Sequence, residues 1–505
     1  MSRALFIKEM EANYHFKNRF ITLGGIQFEK ELIPNLHLNI PLKTLNRHGL
    51  IAGATGTGKT KTIQVLCEQL SQQGIPVFMM DIKGDFSGIA KPGTLNDFIE
   101  NRHTQMNIPF EPKGFPVEFY TLSHQNGVRL RATISEFGPV LLSRILDLND
   151  TQSGVIALIF KYCDDKQYPL LDLKDLKKVL HFITNEGKES IEKEYGRIST
   201  ASTGAILRKL IELEQQDADL FFGETSFEVS DLMRINDKGQ GQINILRLND
   251  IQDKPKLFST FMLCLLAEIY NTLPEQGDSG QPELVLFIDE AHLIFKEATK
   301  ALQNQIETIV KLIRSKGVGI YFITQNPTDI PEGVLSQLGL KIQHALRAFT
   351  AKDRKAIKSA SENFPSTPYY VTNEIITQLG TGEALVTVLN EKGAPTALAV
   401  TAIRAPESRM DILMEEELNE LINQSKLKKK YNTVIDRESA YEILNRKISH
   451  LEEIKEEQNK TSKQSTSRSN KKEEPLLTKQ LVKVVTSATF IRGAFGVLKK
   501  LINKK

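Results

Sequence analysis

The sequence predicts an α/β fold built on a parallel β-sheet, and three observations predict it. A short apolar strand, Leu50-Ile51-Ala52, runs into a glycine-rich turn, a helix over 60–73 and a second apolar strand, Pro76-Val77-Phe78-Met79-Met80. Strand, helix and strand at that spacing make a βαβ unit. Leu284-Val285-Leu286-Phe287-Ile288 and 318–324 are continuous apolar runs, as strands covered on both faces must be. Between them, 297–316 carries Leu302, Ile306, Ile309, Val310 and Ile313 at helical spacing.

The elements follow in order. Residues 1–46 read as a short β-rich lead-in, with strand-like pieces such as Arg19-Phe20-Ile21-Thr22-Leu23 broken by Gly24-Gly25. The α/β domain spans 47–404. Its first helix stops at Gly74, a C-terminal signal. Over 133–220 the pattern becomes helical, with Val140, Leu141, Ile145 and Leu148 on one face and Ile206, Leu210 and Leu213 on another. That stretch is a helical insertion whose expected role is packing. A strand over 241–248 and a helix over 256–271 resume the alternation. Residues 405–455 read as a helical extension, in which Tyr441, Leu444, Ile448 and Leu451 have heptad-like spacing. Residues 456–475, rich in Lys, Ser, Glu and Thr, read as a disordered linker. In 476–505, Leu481, Val484, Val485, Ala488, Ile491, Phe495, Leu498 and Ile502 form a stripe beside Lys483, Arg492, Lys499 and Lys500, a basic amphipathic helix that could lie on an anionic membrane but is expected to dock a protein partner or fold back.

The 505 residues are 40% hydrophobic and 25% charged, enough for a large core and two or three domains. From Lys426 onward there are 20 Lys+Arg against 9 Asp+Glu, a net of +11, which leaves −8 on the rest of a chain whose net charge is +3. The body is mildly acidic and the tail basic. Cys67, Cys163 and Cys264 lie far apart with no CxxC pair, so a disulfide framework or zinc site is not expected, and a reducing cytoplasm is. The charged N-terminus lacks a signal-peptide core, and no run is long and apolar enough for an integral membrane segment.

Gly53-Ala54-Thr55-Gly56-Thr57-Gly58-Lys59-Thr60 matches GxxxxGK[ST] in full. Phosphate oxygens need several donors at once, and a glycine-rich turn opening a helix aims backbone N–H groups and the positive helix end at one anion. Lys59 places a charge on the β- and γ-phosphates, and the Thr60 hydroxyl ligates Mg²⁺. The eight residues are the expected nucleotide site, with ATP and Mg²⁺ as cofactors. Asp289-Glu290-Ala291-His292 follows the apolar strand at 284–288. Two acids at the C-terminal end of a buried parallel strand face such a loop. Asp289 is the expected water-mediated Mg²⁺ partner and Glu290 the group that activates the attacking water. Gln325 ends the next strand, placed to reach the γ-phosphate. Asp81 and Asp85, flanking Lys83, could serve the metal, the water or a turn, and His292 reads as a helix-start residue.

Together these segments resemble the HerA–FtsK superfamily, closest to its bacterial HerA-like branch. The resemblance rests on Leu45-Asn46-Arg47-His48-Gly49-Leu50-Ile51-Ala52 leading into the loop, on Met80-Asp81-Ile82-Lys83-Gly84-Asp85-Phe86, on Phe287-Ile288-Asp289-Glu290-Ala291-His292, and on Ile313-Arg314-Ser315-Lys316-Gly317 leading to Ile323-Thr324-Gln325-Asn326-Pro327. It implies an additional-strand, RecA-like P-loop NTPase core, ATP hydrolysis, a homo-oligomer of hexameric form and double-stranded DNA as the polymer. It also implies that Gln325 is the sensor and Arg314 an arginine entering the neighbouring subunit's site, with Arg47 a second basic candidate. The residues ahead of Arg47 are too few for the N-terminal β-barrel of archaeal HerA proteins. The leading functional expectation is a ring-forming DNA translocase or helicase-like motor. A motor on a protein or secretion substrate and a nucleotide-switched scaffold acting through partners stay open.

Overall fold

The structure is a computed structural model that describes residues 2–465 apart from 278, 297–299, 349, 434 and 436. The predicted tail helix at 476–505 and the second half of the predicted linker lie outside the described residues. The described residues divide into two compact units, one from Met1–Ala132 with Leu213–Ile435, the other from Thr133–Glu212 with the described residues after Ile435.

The first unit holds one twelve-stranded sheet. Its strands are β1 (Phe20–Phe28), β2 (Glu31–Pro41), β3 (Gly49–Ala52), β4 (Val77–Asp81), β5 (Val117–Thr121), β6 (Val128–Arg129), β7 (Ile243–Arg247), β8 (Leu284–Ile288), β9 (Val318–Thr324), β10 (Leu340–Gln343), β11 (Glu383–Thr387) and β12 (Ala399–Ile403). The spatial order is β2-β1-β12-β11-β10-β3-β9-β8-β4-β7-β5-β6. Neighbours from β10 to β6 run parallel, whereas β11, β12, β1 and β2 add an antiparallel wing. Every residue of β3, β4, β8 and β9 is buried. This is why those segments carry no polar alternation. Strand β9 lies between loop-bearing β3 and acid-bearing β8, which makes the core an additional-strand P-loop fold. Register pairs Ala52 with Thr324, Phe322 with Ile288, and Ile288 with Met80, so the turns leaving these strands emerge along one edge.

The lead-in proves to be helix α1 (Arg3–Tyr14) followed by two long strands. Phe6, Met10 and Tyr14, four residues apart, form its buried stripe. The β1–β2 hairpin turns at Glu29 and Lys30, both at positive φ (50° and 68°), the backbone that matches strand twist in a tight hairpin. Because β1 pairs with β12, these residues extend the main sheet.

Helix α2 (Lys59–Gln72) buries Ile63, Leu66 and Leu70 and ends at Gly74, where φ is 78°. Over α2 runs a strap at 407–413. The Glu68 carboxylate accepts from the N–H groups of Glu407 (2.9 Å) and Ser408 (3.0 Å), and Lys61 donates to the Met410 carbonyl.

The second unit is helical, with Ile134–Ile145, Asp150–Lys166, Leu173–Thr184 and Lys188–Tyr195 joined by the C-terminal helix Ala440–Ser465. Capping boxes at Thr133, Asn149 and Asp172 start three of these helices. In the C-terminal helix, Ala440, Leu444 and Ile448 are buried, and the Tyr441 N–H donates to Asp175 at 2.8 Å. The heptad-like spacing therefore serves docking onto Leu173–Thr184. The 405–455 extension is divided between the units. Its last helix continues to Ser465, into the segment read as a linker, where closely spaced Glu and Lys are good helix formers. No described helix is long and apolar enough to cross a membrane.

Candidate functional site

The glycine-rich loop leaves β3 and enters α2 as its spacing requires. Gly58 sits at φ 108°, and a Cβ there would lie 3.0 Å from the Gly382 nitrogen, so the position excludes side chains twice over. The loop is braced from behind. The Gly382 N–H donates to the Thr57 carbonyl (3.0 Å), the Ala54 N–H to the Ala345 carbonyl (2.8 Å), and the Thr57 hydroxyl to the Ala54 carbonyl (2.7 Å). The Lys59 ammonium bends back to donate to the carbonyls of Gly53 (2.6 Å) and Ala54 (3.0 Å). Burial, then the nearby Lys83 charge, push it down to about 8, with Glu290, Asp289 and Asp85 opposing. A cation held over its own loop carbonyls marks where phosphate oxygens would be the better acceptors.

Asp289 and Glu290 follow β8 and are both buried, 5% and 6% exposed. Burial raises the Asp289 carboxyl to about 6 against the pull of Lys83. Glu290 holds φ at 43°, and the Ala291 N–H ties the turn to the Ile323 carbonyl of β9 at 2.8 Å. Burial acts to raise Glu290 as well, but the Lys83 contact outweighs it and holds the carboxylate below its usual range. The Lys83 ammonium is 2.6 Å from Glu290 Oε1, and Gln325 Nε2 donates to the same oxygen at 3.3 Å. His292 Nδ1 is 3.2 Å from Oε2, a buried oxygen that accepts no hydrogen bond.

The turn after β4 joins the two halves. Its Asp85 carboxylate accepts from the Thr60 hydroxyl at 3.2 Å while Lys83 holds Glu290. Asp81 takes the turn role: it accepts from the N–H groups of Gly84 (2.7 Å), Asp85 (3.3 Å) and Phe86 (3.2 Å), and burial, with the Asp85 charge, pushes it up to about 7. Thus Lys59, Thr60, Asp289, Glu290 and Gln325 converge on one edge of the sheet. Arg314 does not join them. It lies exposed ahead of β9, at the end opposite Gln325, and lines a surface cavity with Arg47, Lys311 and Lys341.

The profile of the Helicase HerA-like C-terminal family matches residues 29–493. The chain belongs to this HerA-like family. Among its relatives, the DNA double-strand break repair helicase HerA of Sulfolobus acidocaldarius is 23% identical over 412 residues, covering 78% of this chain and 72% of that protein. The protein of the same description from Sulfurisphaera tokodaii is 23% identical over 379 residues, covering 72% of this chain and 66% of that one. Among solved structures, the bacterial conjugative coupling protein TrwB, in a trigonal form with sulphate, has a TM-score of 0.53 at 15% identity, over 81% of this chain and 94% of that one. At that identity the likeness is one of fold. With this family and this loop, the HerA-like chain is a P-loop ATPase.

Among the described residues of the HerA-like chain, no cluster of three or more His, Cys, Asp or Glu is placed to hold a metal. The Thr60 hydroxyl and the buried Asp289 carboxylate, on the same edge of the sheet, suit Mg²⁺, which keeps waters and phosphate oxygens in its shell. Three supporting residues have roles that the sequence alone does not assign. His344, after β10, accepts from the Thr62 hydroxyl through Nε2 (3.0 Å) and donates to the Glu383 carbonyl through Nδ1 (2.9 Å). Arg102 donates to the carbonyls of Gly382 (2.5 Å) and Ile403 (2.8 Å), bracing the loop behind the phosphate site. Lys83 was visible only as a residue between two acids.

Proposed function

We propose that this chain is a Mg²⁺-dependent ATPase motor that assembles as a ring and translocates on, or unwinds, double-stranded DNA. In this reading the loop 53–60 binds ATP, Lys59 contacts the β- and γ-phosphates, and Thr60 with water-linked Asp289 would hold Mg²⁺, which supplies charge neutralisation of the phosphates. Glu290 accepts a proton from the attacking water, and Gln325 senses the γ-phosphate. The observation that carries the ring is the separation of Arg314 from its own loop. Strand β9, seven residues long, stands between Arg314 and Gln325, a distance of about 20 Å. Only another copy can bring this arginine to a phosphate. DNA as the polymer is supported by the relatives described as DNA repair helicases.

The test is ATP hydrolysis by the purified protein with and without double-stranded DNA, with Glu290→Gln as control. DNA is expected to raise the rate, the variant to remove it, and the stimulation to fall steeply as salt rises. A mutant-sensitive rate that ignores DNA favours a second reading, a motor on a protein or secretion substrate, to which the net charge of −8 ahead of Lys426 and the coupling-protein fold lend support. Turnover near zero with every polymer favours a nucleotide-switched scaffold.

A further inference from the structure

The Ile82-Lys83-Gly84-Asp85 turn touches both halves of the site, yet the hydrolytic scheme above assigns Lys83 nothing. Asp81 fixes the turn through three backbone N–H groups, and Gly84 takes φ 76° within it. From this fixed base the Lys83 ammonium reaches Glu290 Oε1 at 2.6 Å, where Gln325 Nε2 also donates at 3.3 Å. The other oxygen, Oε2, is buried beside His292 Nδ1 at 3.2 Å and accepts no hydrogen bond. A carboxylate clamped by one oxygen loses rotational freedom, and its second oxygen becomes the acceptor of fixed direction.

We propose that Lys83 is the positioning residue for Glu290, clamping Oε1 with Gln325 so that Oε2 is the oxygen that accepts the proton of the attacking water. This rests on Glu290 being the group that activates water. In the step, the water oxygen bonds to the γ-phosphorus, the bond from that phosphorus to the β–γ bridging oxygen breaks, and the water's proton passes to Oε2. Lys83 touches neither water nor phosphate and acts only through Glu290. Its side chain is 36% exposed, so its replacement leaves the core intact.

The experiment compares Lys83→Met and Lys83→Arg with the wild type, reading kcat and KM for ATP and, separately, the Kd for a fluorescent ATP analogue. Lys83→Met is expected to lower kcat by about a hundredfold, as misplacement of a reacting group does, with the Kd unchanged within about twofold. Lys83→Arg, which keeps a cation of similar reach, is expected to recover part of the rate. In a Glu290→Gln background, Lys83→Met should cost nothing further, because the two act as one unit. An unchanged kcat, a raised kcat or a Kd weakened in step with kcat would each overturn the proposal, the second by making Lys83 a brake. If Glu290→Gln alone leaves hydrolysis intact, the role of Glu290 fails; if it abolishes hydrolysis while Lys83→Met does not, only the role of Lys83 fails.

Discussion

Glu290 combines a positive φ, burial and a carboxylate held by Lys83, a set of constraints that serves chemistry better than packing. Glu290→Gln preserves shape and removes the proposed proton acceptor. It should cut hydrolysis by about 10²- to 10⁴-fold while ATP is still bound, which single-turnover hydrolysis and equilibrium binding together report. A variant turning over at the wild-type rate would remove Glu290 from the reaction. Two buried histidines make a contribution to stability that acid removes. His48 donates through Nε2 to the Val310 carbonyl (2.8 Å) and accepts the Ile320 N–H at Nδ1 (3.0 Å), and burial, with the Arg314 charge, pushes it down to about 4. Burial, with the Lys59 charge, brings His344 to about 4 also. Both values lie below the unfolded one, so the unfolded chain binds more protons. The histidines' share of the stability is fully present above about pH 6.5 and is lost toward pH 4, by up to about 1.4 kcal/mol per pH unit for each, while Asp81 and Asp289, raised to about 7 and about 6, act in the opposite direction. The share is read by difference: the loss of melting temperature from pH 7 to 4.5 should be smaller in His48→Gln than in the wild type, and an identical profile would contradict this. The phosphate loop and the Asp289-Glu290 pair were legible in the sequence because each is a contiguous segment with its strand beside it. Lys83, Arg102 and His344 were not, because their partners, Glu290, Gly382 and Thr62, are hundreds of residues away and nothing local encodes the pairing.

At the level of elements, continuous apolar runs gave the parallel strands directly, since burial on both faces leaves no other composition. Helix α1 was missed although Phe6, Met10 and Tyr14 repeat every four residues; a stripe of three is weak beside charges on all other sides. Its anchoring is long-range. The Tyr14 hydroxyl donates to the Ala397 carbonyl at 2.5 Å and accepts from the Thr396 hydroxyl at 3.0 Å. Tyr14→Phe leaves the ring packed and strands both partners in a buried site, so it should cost about 1–3 kcal/mol, read as a lower denaturant midpoint at unchanged slope. No loss would mean that α1 is held by its apolar stripe alone. The loop behaves in the opposite way. Gly58→Ala meets both a left-handed backbone and the Gly382 nitrogen, so the expected loss is nucleotide affinity, with the circular-dichroism spectrum kept. An alanine variant that binds ATP normally would show that the loop relaxes around the side chain.

For the whole molecule, what matters is that the parallel sheet has two ends. The phosphate loop, Asp289, Glu290 and Gln325 lie where the parallel strands finish, whereas Arg47 and Arg314 lie where β3 and β9 begin, in one cavity with Lys311 and Lys341. An arginine so placed can stabilise its own chain through the preceding helix, but in the proposed ring it would face the neighbour's nucleotide and neutralise charge on the transferring phosphoryl group. The two roles separate in mixed assemblies. Arg314→Ala should bind ATP and hydrolyse it at least about tenfold more slowly, within the range that removal of such an arginine spans. Glu290→Gln should be inactive for a different reason. Mixed after dissociation and reassembly, the two inactive proteins should regain part of the rate, because an interface pairing the intact Glu290 of one copy with the intact Arg314 of the next is complete. Arg314 acting within its own chain predicts no such recovery at any mixing ratio, and full activity of Arg314→Ala alone would pass the role to Arg47 or to no arginine at all.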